Sequence, residues 1–293
     1  MLNETSLLAL ITAELPPPDD SIIVGSGDDC AIVHAPSHGR SLVLKTDATI
    51  EGIHFTSATD LLHVGWKALC RPLSDFAAMG AFPQHALVTV AAPFSWKKNE
   101  WLRLSQGIGN AARAFQVIVV GGEIAKSPNH LFLSITVTGT AGSRSLLRSQ
   151  AKPEDLICVT GLLGGSLESE RHLHFTPRLA EGQWLATQSS VHAMMDLSDG
   201  LGSDLPRFAK ASHCSFKIDP AKLPCNPNCT PEQAISDGED YELLLAVNPQ
   251  EWPQLKHDWE QHFPKLSLTP IGSMLPHNSP STELPRGYDH LLG

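Results

Sequence analysis

The spacing of apolar and polar positions changes period several times along this chain of 293 residues. Residues 41–50 (SLVLKTDATI), 85–94 (HALVTVAAPF), 116–122 (QVIVVGG) and 130–141 (HLFLSITVTGTA) are rich in β-branched residues and bounded by Gly, Pro or Asp. That pattern predicts strands. Between them, Trp66, Leu69, Leu73, Phe76 and Ala77 recur at helical spacing, and so do Trp101, Leu104, Ile108 and Ala112. Pro72 predicts a kink in the first helix, or a helix start. Leu7, Leu8, Ile11 and Leu15 share one face of a short amphipathic N-terminal helix. In the second half, LICVTG, FKIDPAKLP, YELLLAVNP and SLTPIGSM predict strands. RLAEGQWLATQ, the segment after MDLSDGL, and PQEWPQLKHDWEQHF predict helices. The polar connector AGSRSLLRSQAKPEDL separates the halves. The expected fold is α/β of the mixed α+β kind. It has two domains, residues 1–143 and 144–293, each a mixed sheet with helices on one side.

Charge narrows the functional classes. The net charge is −10, and no basic stretch exists to track nucleic-acid phosphates. The N-terminus lacks a basic region, and Glu4 and Glu14 interrupt its apolar run, so a signal peptide is not expected. No apolar stretch reaches membrane-spanning length. A cytoplasmic protein with no nucleic-acid or membrane partner is expected. Four of the six cysteines sit in apolar segments, as small core residues do. Cys225 and Cys229, in LPCNPNCTP, read as thiols of a surface loop. His172 and His174 in RHLHF read as surface or lining residues.

The acidic residues are not scattered at random. Five clusters lie at loops or at the ends of apolar runs: GSGDDCAIV, KTDATIEGIHF, LSDFAAMGA, MDLSDGL and DGEDYELLL. Carboxylates at such places are costly to bury without a compensating cation. Their recurrence points to hard divalent cations, and these to polyphosphate chemistry. Asp28 and Asp29 adjoin, so on extended backbone only one is expected to face a site. Asp47 ends a buried strand beside the hydroxyl of Thr46. Asp75 lies on a helix that otherwise faces the core. Asp196 and Asp199 precede glycines and a helix N-terminus, where free N–H groups suit an anion. Pro206 fits that helix if it lies in the first turn. VIVVGGEIAKS superficially suggests a P-loop, but Ala125 stands where glycine must precede the lysine. What remains is a glycine turn with Glu123 at a strand end. No nucleophilic triad, HExxH or dinucleotide fingerprint is present.

In order, the strings GSGDDCAIV, KTDATIEGIHF, KALCRPLSDFAAMGA, VVGGE, LLRSQAKPEDLICVTG, MDLSDGLGSDL, DGEDYELLL and GYDH resemble the thiamine-monophosphate kinase family. That family lies in the superfamily of aminoimidazole ribonucleotide synthetase and selenophosphate synthetase. The resemblance covers nearly the whole chain. It implies a homodimer paired through its N-terminal sheets, with ATP near that interface. It implies that Asp29, Thr46, Asp47, Asp75 and Asp196 hold Mg²⁺ ions and that Asp199 is a further ligand. Ser198, Gly121 and Gly122 would lie near the nucleotide, and Arg148 would meet its phosphates. His54 and Glu239 would contact thiamine monophosphate. The nucleophile, a substrate phosphate oxygen, is already ionised and needs no general base. The chain departs from the family pattern at Glu123 and Ile124 (for Asp-Thr), at Pro72 (for Asn), and at Pro285 and Arg286 (for an aromatic residue). Glu123 is expected to remain a metal ligand with altered geometry. The departures leave two other readings open: a family member acting on another phosphorylated small molecule, and a non-catalytic nucleotide-binding paralogue.

Overall fold

A computed structural model describes residues 19–25, 27–35 and 41–288. The expected N-terminal helix and the last two residues of GYDH lie outside these. The first half contains β1 (Ile22–Val24), β2 (Ala31–His34), β3 (Ser41–Ile50), α1 (Leu61–Ala78), β4 (Phe82–Pro93), α2 (Lys98–Ala114), β5 (Ile118–Ser127) and β6 (Phe132–Thr140). Its six strands form one sheet in the order β1-β2-β3-β6-β4-β5, antiparallel except for the β4–β5 pair. The second half contains β7 (Leu156–Thr160), α3 (Leu179–Leu185), β8 (Val191–Asp196), α4 (Leu201–Ala211), β9 (Ser215–Ile218), α5 (Pro231–Ser236), β10 (Leu243–Val247), α6 (Trp252–His262) and β11 (Leu268–Leu275). The order of its sheet is β8-β10-β7-β11-β9, and every pairing is antiparallel. Two sheets with attendant helices match the expected α+β class, though the second sheet is wholly antiparallel rather than mixed. Among the described residues, no helix is long and apolar enough to cross a membrane.

Helix α1 organises the molecule. Asp60 caps it by accepting from the Leu62 N–H at 2.9 Å, which satisfies a donor that a helix start leaves over. Its face against α2 is cut down to glycine. A Cβ on Gly107 would fall 2.0 Å from the Leu62 carbonyl oxygen, and one on Gly65 would fall 2.4 Å from that of Leu104. From Lys67 to Ala78 every residue of α1 is buried. One core cluster runs from the first sheet through α1 to Leu173, Met194, Tyr241 and Leu243 of the second half. The helix is therefore sandwiched between the two sheets, and any polar side chain on it needs a partner.

Several expectations are corrected. Pro72 does not start α1; it sits inside the helix, whose surroundings on all sides outweigh one missing N–H. Pro206 lies in the second turn of α4, beyond the N-cap Gly200, rather than the first. Gly121 and Gly122 make no turn. β5 continues through them to Ser127, held parallel to β4. Gly122 lies so close to β4 that a Cβ would fall 1.8 Å from the Val88 carbonyl oxygen.

Candidate active site

The stripe Lys67, Arg71 and Asp75 occupies successive i, i+4 positions of α1 and so lies along one face of it. That face borders a cleft of about 840 Å³ between the two halves. The cleft brings together Asp29, Asp47, His54, Asp75, Arg148, Asp196, Ser198, Asp199 and Glu239, all expected from sequence. Alternation along β3 explains Asp47: it turns inward with Lys45, while Thr46 turns to the opposite, exposed face. There Thr46 meets the hydroxyls of Ser134 and Thr136 at 3.4 and 3.0 Å. Gly121, Gly122 and Glu123 lie on exposed β5. The structure does not bring these four residues to the cleft within one chain.

At one end, an oxygen from each of Asp29, Asp75 and Asp196 lies within 4.8 Å of the other two. All three residues are buried. Burial raises all three carboxyls, and nearby negative charge adds to it, from Asp28 at Asp29, from Asp196 and Asp47 at Asp75, and from Asp29 at Asp196, which is pushed up to about 7. Lys45 lies 2.6 Å from Asp75, and Ser74 donates to Asp196 at 2.6 Å. Arg148 binds Asp29 and lies 3.7 Å from Asp28. Both adjacent acids line the cleft, against expectation. The backbone there is a turn with Gly27 at φ +120°, not a strand, so alternation does not apply. The second oxygen of Asp29 is buried and accepts no hydrogen bond. Three buried carboxylates with an unsatisfied oxygen are the donor set that suits Mg²⁺.

The loops from β8 and into β10 form the opposite wall. Asp204, in the first turn of α4, accepts from the N–H groups of Ser198 and Asp199 at 3.0 and 2.9 Å. Arg207 bridges Asp199 and Asp204. Gly200 is required at φ +89°, and a Cβ there would fall 2.5 Å from the Asp237 carbonyl oxygen. The two loops pair: Glu239 N–H donates to the Ser198 carbonyl at 2.7 Å and Tyr241 N–H to that of Leu197 at 2.8 Å. Glu239 and Tyr241 adopt positive φ, +62° and +53°, a conformation that needs support from its surroundings. The segment carrying Arg286, Gly287 and Tyr288 closes over this wall, with Tyr288 N–H donating to the Asp199 carbonyl at 2.9 Å. Ile53, Leu167 and Tyr288 give the cleft an exposed apolar lip.

Two family models match, described as AIR synthase related protein, N-terminal domain, over residues 27–141, and C-terminal domain, over residues 116–263. The thiamine-monophosphate kinase of Rhodopirellula baltica is 37% identical, over 85% of this chain and 83% of its own. That of Bacillus subtilis is 33% identical, over 86% and 85%. The chain belongs to the thiamine-monophosphate kinase family. A solved structure of AaThiL complexed with AMPPCP and TMP superposes with a TM-score of 0.83 at 29% identity, covering 98% of this chain and 97% of that one.

In this member of the thiamine-monophosphate kinase family, the residues that sequence reasoning missed are mostly cations and their supports. Lys45, Arg71, Asp204 and Arg207 line the cleft. His172 is buried against Lys67 and Glu239 rather than at the surface. Arg71 donates to the Ala48 carbonyl and lies 3.5 Å from Asp47, tying α1 to β3. The stripe at i, i+4 spacing was the signal available for Lys67 and Arg71.

Proposed function

We propose that this protein transfers the γ-phosphoryl group of ATP to the phosphate of thiamine monophosphate, giving ADP and thiamine diphosphate. The observation that carries the reading is the meeting of Asp29, Asp75 and Asp196 beside Arg148 in a cleft of this family's fold. In the transfer, a phosphate oxygen of the acceptor bonds to the γ-phosphorus while the bond to the ADP oxygen breaks and ADP leaves with the electron pair. The acceptor oxygen is ionised at neutral pH, so no side chain need remove a proton. Mg²⁺ held by Asp29, Asp75 and Asp196, with Asp47 and Asp199 at the margin, would neutralise polyphosphate charge. Arg148, held against Asp28 and Asp29, adds a fixed cation for the nucleotide phosphates. The loop at Ser198, braced by Asp204, lies near the nucleotide. His54 and Glu239 face the acceptor, and the apolar lip suits its rings.

We further infer a homodimer formed through the outer face and edge of the first sheet, where Leu87, Ile118, Val119, Val120 and Ile124 are exposed. Residues 1–143 then supply pairing and most metal ligands, and residues 144–293 complete the cleft. Assembly is what would bring Thr46, Gly121, Gly122 and Glu123 to a bound nucleotide. Incubation of purified protein with ATP, Mg²⁺ and thiamine monophosphate, with chromatographic detection of thiamine diphosphate, tests the reaction. Nucleotide binding without product would overturn it.

A further inference from the structure

Lys67 is the one charged side chain of α1 with no exposed surface. Its ammonium nitrogen lies 2.6 Å from each of three acceptors: the His54 carbonyl oxygen, His172 Nδ1 and Glu239 Oε2. An ammonium has three donors and no acceptor, so its capacity is filled. The three acceptors come from three separate segments, the turn after β3, the short helical turn Arg171–Leu173, and the loop into β10. His172 Nδ1 is also 2.9 Å from the same Glu239 oxygen. The other Glu239 oxygen accepts from the Tyr241 hydroxyl at 3.2 Å.

We propose that Lys67 is a positioning residue for the phosphate acceptor, acting through Glu239; this rests on the functional reading above. Glu239 sits at positive φ in a loop, a poor place from which to aim a carboxylate unaided. Lys67 grips it from a helix buried between two sheets. The same ammonium fixes the backbone of His54, whose ring Nδ1 accepts from the Ile50 N–H at 3.0 Å. One buried cation thus sets the placement of both cleft residues at this end. It also joins the halves of the molecule, since Lys67 and His54 belong to the first and His172 and Glu239 to the second. The ammonium itself is withdrawn from the cleft lining, so it touches neither substrate and cannot act on the transferred group directly.

A double-mutant cycle on Lys67→Met and Glu239→Gln tests this, reading KM for thiamine monophosphate and for ATP, kcat and Tm. Lys67→Met is expected to raise the acceptor KM about tenfold and to leave the ATP KM within about twofold. The double variant should be no worse in acceptor KM than Glu239→Gln alone, because Lys67 acts through that carboxylate. Additive effects, an equal rise in both KM values, or an unchanged acceptor KM would overturn the proposal. If Lys67→Met does not fold, Lys67→Gln, which keeps two donors, carries the same cycle. Wild-type protein that makes no thiamine diphosphate sinks the functional reading together with this one. Turnover with an additive cycle sinks this one alone.

Discussion

At Asp75, three buried carboxylates face one another, and Lys45 and Arg148 are their nearest cations. About two helical turns earlier on the same face of α1, at Lys67, a single ammonium meets three acceptors and uses every donor. One end of the cleft is electrostatically incomplete, with an Asp29 oxygen left without a hydrogen bond. At the other, every donor of the buried ammonium has a partner. A site that must take up cations from solution cannot satisfy its ligands beforehand, because each internal bond would compete with the ion. A site that must recognise an organic acceptor gains from fixing its groups in advance. The helix applies both rules along one stripe, and its burial makes both consequential.

The contrast is broken most forcefully at its acid end. Asp75→Asn removes one of the three converging carboxylates but keeps shape. Turnover is expected to fall about a hundredfold or more, and the rise in Tm that Mg²⁺ gives the wild type should largely vanish. Steady-state kinetics and thermal melts, each over a Mg²⁺ series, check this. Near-normal turnover at low Mg²⁺ would show that Asp75 belongs to the structure and not to the metal site.

How much of this was legible in the sequence follows from what each residue reports about its neighbours. Asp75 stood out because a lone carboxylate among Leu73, Phe76 and Ala77 has no local explanation. Lys67 and Arg71 share its helical spacing, but nothing local says that the helix will be enclosed by a second sheet. The strand carrying Asp47 was legible from its β-branched residues, but it does not end at Asp47; it runs on to Ile50, and its alternation sends Thr46 to the other face. Alternation failed at Asp28 and Asp29 because the turn at Gly27 removes the period. It failed again at Val191–Asp196, β8, whose residues apart from His192 are buried, so that it shows no polar face. The pairing of the Ser198 and Glu239 loops rests on backbone bonds between distant segments, which side-chain pattern does not record.

The incomplete end should also betray itself through pH. The Asp196 carboxyl is raised from 3.8 to about 7, by burial first and then by the charge of Asp29. Between about pH 4 and 7 the metal-free folded protein therefore holds a proton that the unfolded chain has released. The Asp196 contribution to stability then falls as pH rises through that window, by on the order of a few kcal/mol. Mg²⁺ binds the ionised form and so opposes the trend. The Mg²⁺-induced rise in Tm should grow by several degrees from pH 5.5 to pH 8. The Lys67 end has the opposite sign. Burial opposes charge on Glu239, yet the neighbouring His172 and the Lys67 charge outweigh it and hold the carboxyl at about 2. Its contribution is present above the unfolded value of 4.5 and is lost only as pH falls toward 2, with or without Mg²⁺. A Mg²⁺ effect independent of pH across 5.5–8 would remove the distinction between the two ends.

The smallest expected effect sharpens the comparison by asking whether the acid end is completed by a second copy of the chain. Glu123 lies on β5, exposed and off the cleft of its own chain. If it serves a metal site, it does so across a dimer. Leu87, beside Gly121 in the sheet register and 47% exposed, lies on the proposed pairing face. Leu87→Asp places a charge there at little cost to the fold, since the position is open. It should halve the mass seen by light scattering. In the dimeric background Glu123→Ala is expected to lower turnover roughly tenfold at limiting Mg²⁺. Glu123→Asp should retain activity, because Mg²⁺ keeps waters that fill a shorter reach. In the Leu87→Asp background Glu123→Ala should cost nothing further, because the carboxylate no longer meets a partner's site. An equal loss in both backgrounds would place Glu123 in its own chain's chemistry, against the geometry. No loss in either would leave it a solvated carboxylate on a sheet edge, and the acid end would then be complete within one chain once its cations are bound.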